Sequence, residues 1–341
     1  MKRDLKKSIF LLCSLALIIL IGGILYFCFQ NIRYPLKFNE KEVSFHVKQR
    51  ESLGQVIDNL NADKLIKSPL ILKWYANKHF GNTEVKPGTY SFSKNINLDN
   101  FAMYLEKGIT DDRPVKVIIP EGYDIEQIGN ALEKSGVITS SDFIKSCKEY
   151  KLPNFIKKDS QRRYALEGYL FPDTYNFLKG SSGEYIIQVM LNRFSQVMDE
   201  IQKNTGKQLK GQDMDRVIIM ASIVEKEVKK PEERGKAASV FYNRLNKNMK
   251  LQSCATVLYA LGVHKDKVYY KDLQVSSPYN TYKVNGLPEG PISNPGRGCI
   301  TAAVNPDKTN YLYFVSKNDG THFFTDSNEK FLDVKKITQG E

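Results

Sequence analysis

The stretch VIIMASIVEKE, residues 217–227, is apolar for most of its length and then ends in two glutamates. Its apolar run, 217–224, is interrupted only by Ser222, so a helix built from it can expose little of its circumference and must lie in a core. Glu225 follows one turn after Ala221 on that helix, whereas Glu227 projects from nearly the opposite side. We therefore expect a buried helix that presents one carboxyl group to a site.

A carboxyl group that is partly removed from water keeps its proton to a higher pH, which is what a general acid needs. Glu225 is the candidate for this role, because it directly follows the buried turns. From this helix alone the alternative is an ordinary helix-end carboxylate paired with Lys226, Lys229 or Lys230.

Helical patterns surround the core segment. Residues 184–204 are amphipathic, and residues 231–248 open with Pro231 and acidic side chains, as the first turn of a helix does. Near the C-terminus YLYFV and HFFT are separated by a Lys-Asn-Asp-Gly stretch typical of a hairpin. The fold class that these patterns predict is mixed α+β.

The N-terminus predicts a membrane anchor. Residues 9–29 are uncharged and mostly apolar, and as a helix they would span roughly 30 Å, the thickness of a bilayer core. A cleaved signal peptide is the alternative, but the run is longer than a signal core and lacks a small-residue cleavage site after it. Lysines and an arginine precede the run in greater number than follow it, which predicts a single-pass protein with a cytoplasmic N-terminus and everything after residue 30 outside the cytoplasm.

The charge of the chain fits that location. A formal net charge of +12 over 341 residues suits an acidic polymer or surface, such as nucleic acid, anionic lipid or a bacterial wall polymer. A position outside the cytoplasm argues against nucleic acid. The four histidines are scattered, and no Cys/His motif with metal-ligand spacing occurs, so we expect no metal site and no cofactor.

An internal repeat organises the chain after the anchor. Residues 43–73 align with residues 115–145 at a constant offset of 72 residues, the distance from Val43 to Val115. The identical pairs are Val43 and Val115, Gln55 and Gln127, Leu60 and Leu132, Ile66 and Ile138, Ser68 and Ser140, and Lys73 and Lys145. Each copy predicts a strand, two helices and a closing strand. The first copy resembles LysM modules, which bind aminosugar chains, in its order of elements.

Three further stretches carry residues typical of carbohydrate sites. Residues 166–177, LEGYLFPDTYNF, place aromatic rings beside carboxylates. Residues 251–262, LQSCATVLYALG, form the polar start of a helix, and residues 276–296 form a loop stiffened by prolines and suited to holding a ligand. The predicted substrate-binding residues in these stretches are Glu167, Tyr169, Asp173, Gln252, Thr256, Tyr279, Asn280 and Tyr282.

These motifs together resemble a known family. LEGYLFPDTY, ASIVEKE, FYNRL, LQSxxTVxYALG, SPYNTYxxxGLPxGPIxNPG and NYLYFV occur in the order found in the YceG-like family of endolytic murein transglycosylases. The resemblance spans residues 36–335. It implies a membrane-anchored lyase of the bacterial cell envelope that cuts nascent peptidoglycan strands between N-acetylmuramic acid and N-acetylglucosamine, leaving 1,6-anhydro ends. One position departs from the pattern, since Cys254 stands where the motif has an acidic residue.

The resemblance implies Glu225 as the catalytic residue. A lytic transglycosylase needs only one carboxyl group, because the C6 hydroxyl of the sugar itself attacks C1 and the same group donates and then accepts a proton. We expect Gln252, Tyr279 and Asn280 to orient the sugar, and Glu167 and Asp173 to brace the site. Placement beside emerging strands would suit contacts with peptidoglycan synthases and division proteins.

Two alternatives remain open at this stage. In a two-carboxylate hydrolase, Glu167 or Asp173 would partner Glu225. In a non-catalytic anchor, the repeats and the basic surface would hold wall polymer without cutting it. The expected divisions of the chain are a cytoplasmic tail at 1–8, a transmembrane helix at 9–29, a LysM-like subdomain at 36–110 and a YceG-like catalytic domain at 111–341, with its second repeat at 111–160 and its core at 161–341.

Overall fold

The structure is a computed structural model that describes residues 2–37, 42–81, 84–93, 95–111, 113–263, 265 and 268–340, with side chains from residue 13 onward. The chain folds as two compact units. The N-terminal unit comprises residues 1–115 with 178–180, and the C-terminal unit comprises residues 116–177 with 181–341.

The first helix, α1 (Lys2–Arg33), contains the predicted anchor. Its part Cys13–Arg33 is long and apolar enough to cross a membrane, and an apolar stretch of 18 residues within it has no buried residue. The prediction of an N-terminal apolar helix that could anchor the chain is confirmed.

The N-terminal unit continues with two strands and three helices. They are β1 (Glu42–Val47), α2 (Leu53–Ala62), α3 (Pro69–His79), β2 (Gly88–Ser93) and α4 (Leu98–Lys107). β1 pairs antiparallel with β2, and every second residue of β1 points into a core rich in aromatic rings. The helix α4, which starts at the N-cap Asn97, was not predicted from the sequence.

The second copy of the repeat opens the next part of the chain with the same element order. It consists of β3 (Val115–Ile118), α5 (Ile125–Lys134), α6 (Ser140–Glu149) and β4 (Thr174–Phe177), and β3 pairs with β4. The predicted order of strand, two helices and strand is confirmed in both copies. A shared capping box explains one identical pair of the repeat, because Gln55 and Gln127 each cap the helix start at Ser52 and Asp124, respectively.

Helices form the core of the C-terminal unit. They are α7 (Gly183–Thr205), α8 (Gln212–Glu227), α9 (Arg234–Asn246, after a 3₁₀ turn at Pro231–Glu233), α10 (Cys254–Leu261) and α11 (Arg297–Val304). Residues 217–224 of α8 are all buried, and α8 packs against α9, α10 and α11. The prediction of a buried helix that ends at the EKE motif is confirmed.

The chain ends with the predicted hairpin and one further helix. β5 (Tyr313–Ser316) and β6 (His322–Thr325) pair antiparallel, and α12 (Asn328–Gln339) packs against both strands. A 3₁₀ turn, Asp272–Gln274, interrupts the long connection between α10 and α11. The hairpin thus lies within the same unit as the end of α8.

Candidate active site

The two glutamates at the end of α8 face different surroundings. Glu225 is half-buried, and its Oε2 accepts a hydrogen bond of 2.9 Å from the N–H of Gly296, the N-cap of α11. Lys226 donates to the carbonyl of Gly122 rather than pairing with Glu225. A carboxylate at a helix N-terminus interacts favourably with the helix dipole. Glu225 therefore links the end of α8 to the start of α11.

The groups around Glu225 form a crowded junction. Burial raises the pKa of Glu121, and the charge of Glu225 raises it further, while Arg234 at 3.6 Å from Glu121 opposes the rise. Burial also raises the pKa of the Cys299 thiol, and Glu225 adds to that effect by its charge and a hydrogen bond. Gly122 lies so close that a Cβ there would be 3.3 Å from Glu225 Cγ.

Glu227 lies instead where two cavities meet. One cavity has a volume of about 520 Å³ and extends along α10 towards Arg163, and the other has a volume of about 680 Å³ and extends towards the β5–β6 hairpin. Glu227, Cys254 and Val268 line both cavities. Glu225 is not among the described residues that line either one.

Ser253, at the N-cap of α10, holds the carboxyl group of Glu227. The Ser253 hydroxyl donates to Glu227 Oε1. Burial raises the pKa of Glu227; the hydrogen bond from Ser253 and the nearby His322 and Arg244 lower it, and the net shift is upward. Glu227 thus combines access to the cavities with a tendency to keep its proton, as a general acid requires.

Buried hydroxyl groups fix Ser253. Its N–H donates to Thr281 Oγ1 at 3.0 Å, and its carbonyl accepts from Thr256 Oγ1 at 2.7 Å. The two threonine hydroxyls lie 2.8 Å apart, and both residues are fully buried. Thr256 therefore positions the start of α10 from within the core.

Gln252 combines an unusual backbone with an exposed side chain. Its φ of 52° lies in the left-handed region, which is sparsely populated by residues other than glycine. Its N–H donates to the Thr281 carbonyl at 3.1 Å, and the Leu251 carbonyl accepts from Arg244, so both sides of the strained residue are held. The Gln252 side chain lines the larger cavity.

Aromatic rings form much of the larger cavity. Its aromatic lining consists of Phe241, Tyr269, Tyr270, Tyr282, Tyr313, Phe314 and Phe331. The hydroxyl of Tyr282 lies 3.2 Å from Cys254 Sγ, so the residue that departs from the family motif contacts a predicted binding residue. The guanidinium of Arg244 lies 5.3 Å from the centre of the Tyr313 ring and ties the hairpin to the chain before Gln252.

His322 is a cavity residue that the sequence did not single out. It lines the larger cavity from β6, and both its N–H and its Nδ1 bond the carboxylate of Glu233, at 2.9 and 2.7 Å. Glu233 lies on the turn directly after α8. The sequence would have indicated this contact only if it had also shown that the HFFT and YLYFV hairpin packs beside Glu233.

The loop residues Tyr279 and Asn280 are buried. The Asn280 amide donates to the carbonyls of Leu273 and Val275, and its Oδ1 accepts from the Tyr282 N–H. Tyr279 packs against Tyr259, with ring centres 4.9 Å apart. These two side chains shape the loop that presents Tyr282, and neither is among the described residues that line the cavities.

Glu167 is fully buried and joins three segments. Its carboxyl group accepts hydrogen bonds from the Ile125 N–H, the Tyr259 hydroxyl and the Asn294 amide. Burial raises its pKa to about 8, and the nearby Asp124 adds to the rise. Its carboxyl group thus joins α5, α10 and the loop before α11 within the core.

Tyr169 and Asp173 also make structural contacts. Tyr169 is fully buried, and its hydroxyl donates to Asp215, which forms an ion pair with Arg162. Asp173 pairs with Arg193 at 2.7 Å. Burial raises the pKa of Asp173, but the bonds from Thr174 and Arg193 outweigh it and lower the pKa overall. Among the described residues, no group of three or more His, Cys, Asp or Glu side chains could hold a metal ion.

Comparison with known proteins agrees with this arrangement of motifs. The sequence profile of the YceG-like family matches residues 45–336. The chain belongs to the YceG-like family. It is 36% identical over 320 residues to the endolytic murein transglycosylase of Bacillus subtilis strain 168, an alignment that covers 90% of this chain and 88% of that protein. The family prediction is confirmed.

Two further YceG-like relatives extend the comparison. The chain is 31% identical over 339 residues to the endolytic murein transglycosylase of Streptococcus pneumoniae strain D39, covering 90% of this chain and 61% of that longer protein. A crystal structure of a YceG-like protein from Listeria monocytogenes aligns with a TM-score of 0.58 at 34% identity, covering 87% of this chain and 100% of that one. The likeness to a solved structure supports the α+β architecture.

Within this YceG-like fold the predicted site residues fall into two sets. Gln252 and Tyr282 line the larger cavity with Glu227. The others, Glu167, Tyr169, Asp173, Thr256, Tyr279 and Asn280, are absent from the described lining of either cavity. Most of the predicted substrate-binding side chains therefore point into the protein, whereas Gln252 and Tyr282 face the larger cavity.

Proposed function

We propose that this protein is an endolytic murein transglycosylase that cleaves peptidoglycan strands between N-acetylmuramic acid and N-acetylglucosamine and forms 1,6-anhydro-muramyl ends. Membership of the YceG-like family and the names of the relatives support this activity. The observation that carries it is the position of Glu227, a half-buried carboxyl group at the junction of two cavities. A glycan strand that occupied both cavities would bring a glycosidic bond to that junction.

Glu227 is the better candidate for the acid than Glu225. The sequence favoured Glu225 because it directly follows the buried run and because the family resemblance implied it. In the structure Glu225 bonds the start of α11, whereas Glu227 lines the cavities. In our proposal Glu227 gives its proton to the glycosidic oxygen as the bond to C1 breaks. It then takes the proton of the C6 hydroxyl, which attacks C1 of the same sugar, so no water is consumed.

The surroundings of Glu227 disfavour a two-carboxylate hydrolase. The smaller cavity contains two other carboxyl groups, but Asp124 caps α5 and Glu126 bonds Arg163 and Tyr164. Glu167 is enclosed by its own hydrogen bonds, and Asp173 pairs with Arg193. Each of these described carboxyl groups would have to break one of its contacts before it could activate water or attack C1.

The proposal places the enzyme at the outer face of the bacterial cell membrane. The apolar helix α1 would anchor it, with the basic N-terminus in the cytoplasm. In that location the two cavities at Glu227 would bind newly made strands, and cleavage there would end strand elongation. The enzyme would also be placed to contact peptidoglycan synthases and division proteins. We further propose that the first repeat, within residues 36–110, acts as a LysM-like module that holds glycan.

Product analysis tests this function. Full-length protein in detergent is incubated with uncrosslinked peptidoglycan strands, and the muropeptides are identified by mass spectrometry. We expect products lighter by one water than hydrolysis products, present with wild type and Glu225→Gln and absent with Glu227→Gln. Circular dichroism checks that both variants are folded.

Each other outcome has a defined meaning. Hydrated reducing ends would show a hydrolase. Strands that bind but stay intact with wild-type protein would show an anchor. Loss of cleavage in Glu225→Gln, with full activity in Glu227→Gln, would return the acid to Glu225.

A further inference from the structure

The helix α3 of the N-terminal unit has an exposed apolar face. Leu70 is 81% exposed and Trp74 is 59% exposed, and the ammonium group of Lys78 lies 5.2 Å from the centre of the Trp74 ring. These three residues are spaced four apart, so they lie along one side of the helix. The opposite side buries Leu72 and Ala76 in the core.

This face is unusual within its unit. Among the described residues of the N-terminal unit outside α1, Leu70 and Trp74 are the exposed large apolar side chains. Removing these two side chains from water, against a partner or in a membrane, would lower the free energy. Neighbouring elements of the unit leave both side chains open to solvent.

The position of α3 beside the end of α1 indicates what could cover this face. The two helices pack against each other. The chain that leaves α1 also pairs with the chain that enters α3, because the Lys37 N–H donates to the Leu65 carbonyl and the Lys67 N–H donates to the Pro35 carbonyl. α3 therefore begins next to the point where the apolar helix ends.

The residues around this junction are of the types found at membrane surfaces. The ammonium group of Lys67 lies 5.8 Å and the guanidinium of Arg33 lies 5.5 Å from the centre of the Tyr34 ring. Aromatic rings and basic side chains concentrate at the level of lipid headgroups, where the ring meets the apolar boundary and the cation meets phosphate. Lys78 beside Trp74 extends the same combination along α3.

We propose that α3 lies against the membrane surface, with Leu70 and Trp74 inserted into the headgroup region of an anionic bilayer. The proposal rests on the membrane insertion of α1, which fixes the height of the adjoining helix. A bilayer fits the face better than a glycan strand does, because Leu70 offers no hydrogen-bonding group and the flanking charges are cationic. Such a contact would hold the unit against the membrane in addition to α1.

The only tryptophan of the chain is Trp74, so its fluorescence reports on this face alone. Full-length protein is reconstituted into vesicles of phosphatidylglycerol and phosphatidylcholine, with or without bromine on the acyl chains near the headgroup. We expect brominated lipid to quench most of the Trp74 emission, and acrylamide in the buffer to quench less in vesicles than in detergent. Leu70→Ser should weaken the lipid quenching, whereas Asn77→Ser, a change at an exposed polar position of the same helix, should not.

The controls separate this inference from the membrane anchoring on which it rests. Protein that is removed from vesicles by an alkaline wash would overturn both the anchoring and the inference. Protein that stays with the vesicles but is not quenched by bromine would overturn the inference alone. Emission that responds to added glycan strands and not to bromine would assign the face to glycan. Leu70→Ser should cleave soluble strands at the wild-type rate.

Discussion

The two ends of the EKE motif differ more than their separation of two residues suggests. Glu225 accepts a backbone hydrogen bond from Gly296 and sits beside Glu121 and Cys299. Glu227 accepts from the Ser253 hydroxyl and lines two cavities. Because successive residues of a helix differ by about 100° in direction, one carboxyl group joins helices and the other faces open space. Position on the helix face, rather than distance from the buried run, separates the two.

A third carboxyl group shows that burial alone does not identify an acid catalyst. Glu167 is fully buried and has a pKa raised to about 8, yet its three hydrogen bonds join α5, α10 and the loop before α11. Glu227 is less buried than Glu167, but unlike Glu167 it lines both cavities. A raised pKa and an open cavity are both needed before a carboxyl group is proposed as the acid.

The largest expected effect comes from shortening the two glutamates separately. Glu227→Asp withdraws the carboxyl group from the junction of the cavities by one methylene, and we expect the rate of strand cleavage to fall about 100-fold, since a displacement near 1 Å can cost that much. Glu225→Asp should leave the rate within a few-fold of wild type. The rates are measured on soluble strands. If both variants lost the same fraction of activity, the assignment of the acid to Glu227 and of a structural role to Glu225 would be wrong.

Replacing Glu167 tests the role of a brace through the pH dependence of stability. With a pKa of about 8 in the folded protein and about 4.3 in the unfolded chain, the folded state binds the proton more tightly. The free energy of unfolding should therefore be highest below about pH 4.3, as far as this group is concerned, and fall by a few kcal/mol as the pH rises to about 8.

Glu167→Gln, which carries no proton to lose, should flatten that decline. Thermal unfolding in detergent at several pH values between 5 and 8 measures it, with Glu133→Gln at an exposed position as the control. If the wild-type and Glu167→Gln curves keep the same slope, Glu167 does not titrate in this range and the brace carries a charge.

The elements of this fold could largely be predicted from the sequence because their signals are local. The apolar run of α8 can only lie in a core. Both copies of the repeat begin their first helix with a capping box, at Ser52 and at Asp124, which predicts a helix start at each place. The helix α4 was missed, although the N-cap Asn97 and apolar residues three and four apart indicate a helix. Its segment follows a closing strand, where a linker was the simpler expectation.

The site was harder to predict because it depends on directions that the sequence does not contain. Tyr169 and Asn280 stand in motifs rich in polar and aromatic residues, but the fold turns both side chains inward, to Asp215 and to the carbonyls of Leu273 and Val275. Polar groups in these loops are used to shape the loops themselves. The contact between His322 and Glu233 joins segments 89 residues apart, and no local pattern predicts it.

A smaller effect is expected when the partner of Glu227 is removed. Ser253→Ala deletes the hydroxyl that orients the carboxyl group and lowers its pKa, so the rate should fall roughly tenfold, the value of one hydrogen bond to a charged group. The pKa of Glu227 should rise. Because the acid must be protonated to act, the decline of activity at high pH should move to higher pH. Ser276→Ala, at an exposed loop position, should keep the wild-type pH profile; an unshifted profile in Ser253→Ala would separate Ser253 from the acid.

The smallest expected effect is on stability and comes from Glu225→Gln. The amide oxygen can still accept from the Gly296 N–H, but the negative charge at the start of α11 is lost, which costs about 0.5 to 1 kcal/mol. Removing that charge also relieves its repulsion with Glu121, so the pKa of Glu121 should fall and part of the cost should be offset. We expect thermal unfolding a few degrees lower at most and strand cleavage close to wild type. A folded Glu225→Gln protein without cleavage would reverse the comparison, because the reacting bond would then have to lie on the α11 side of α8.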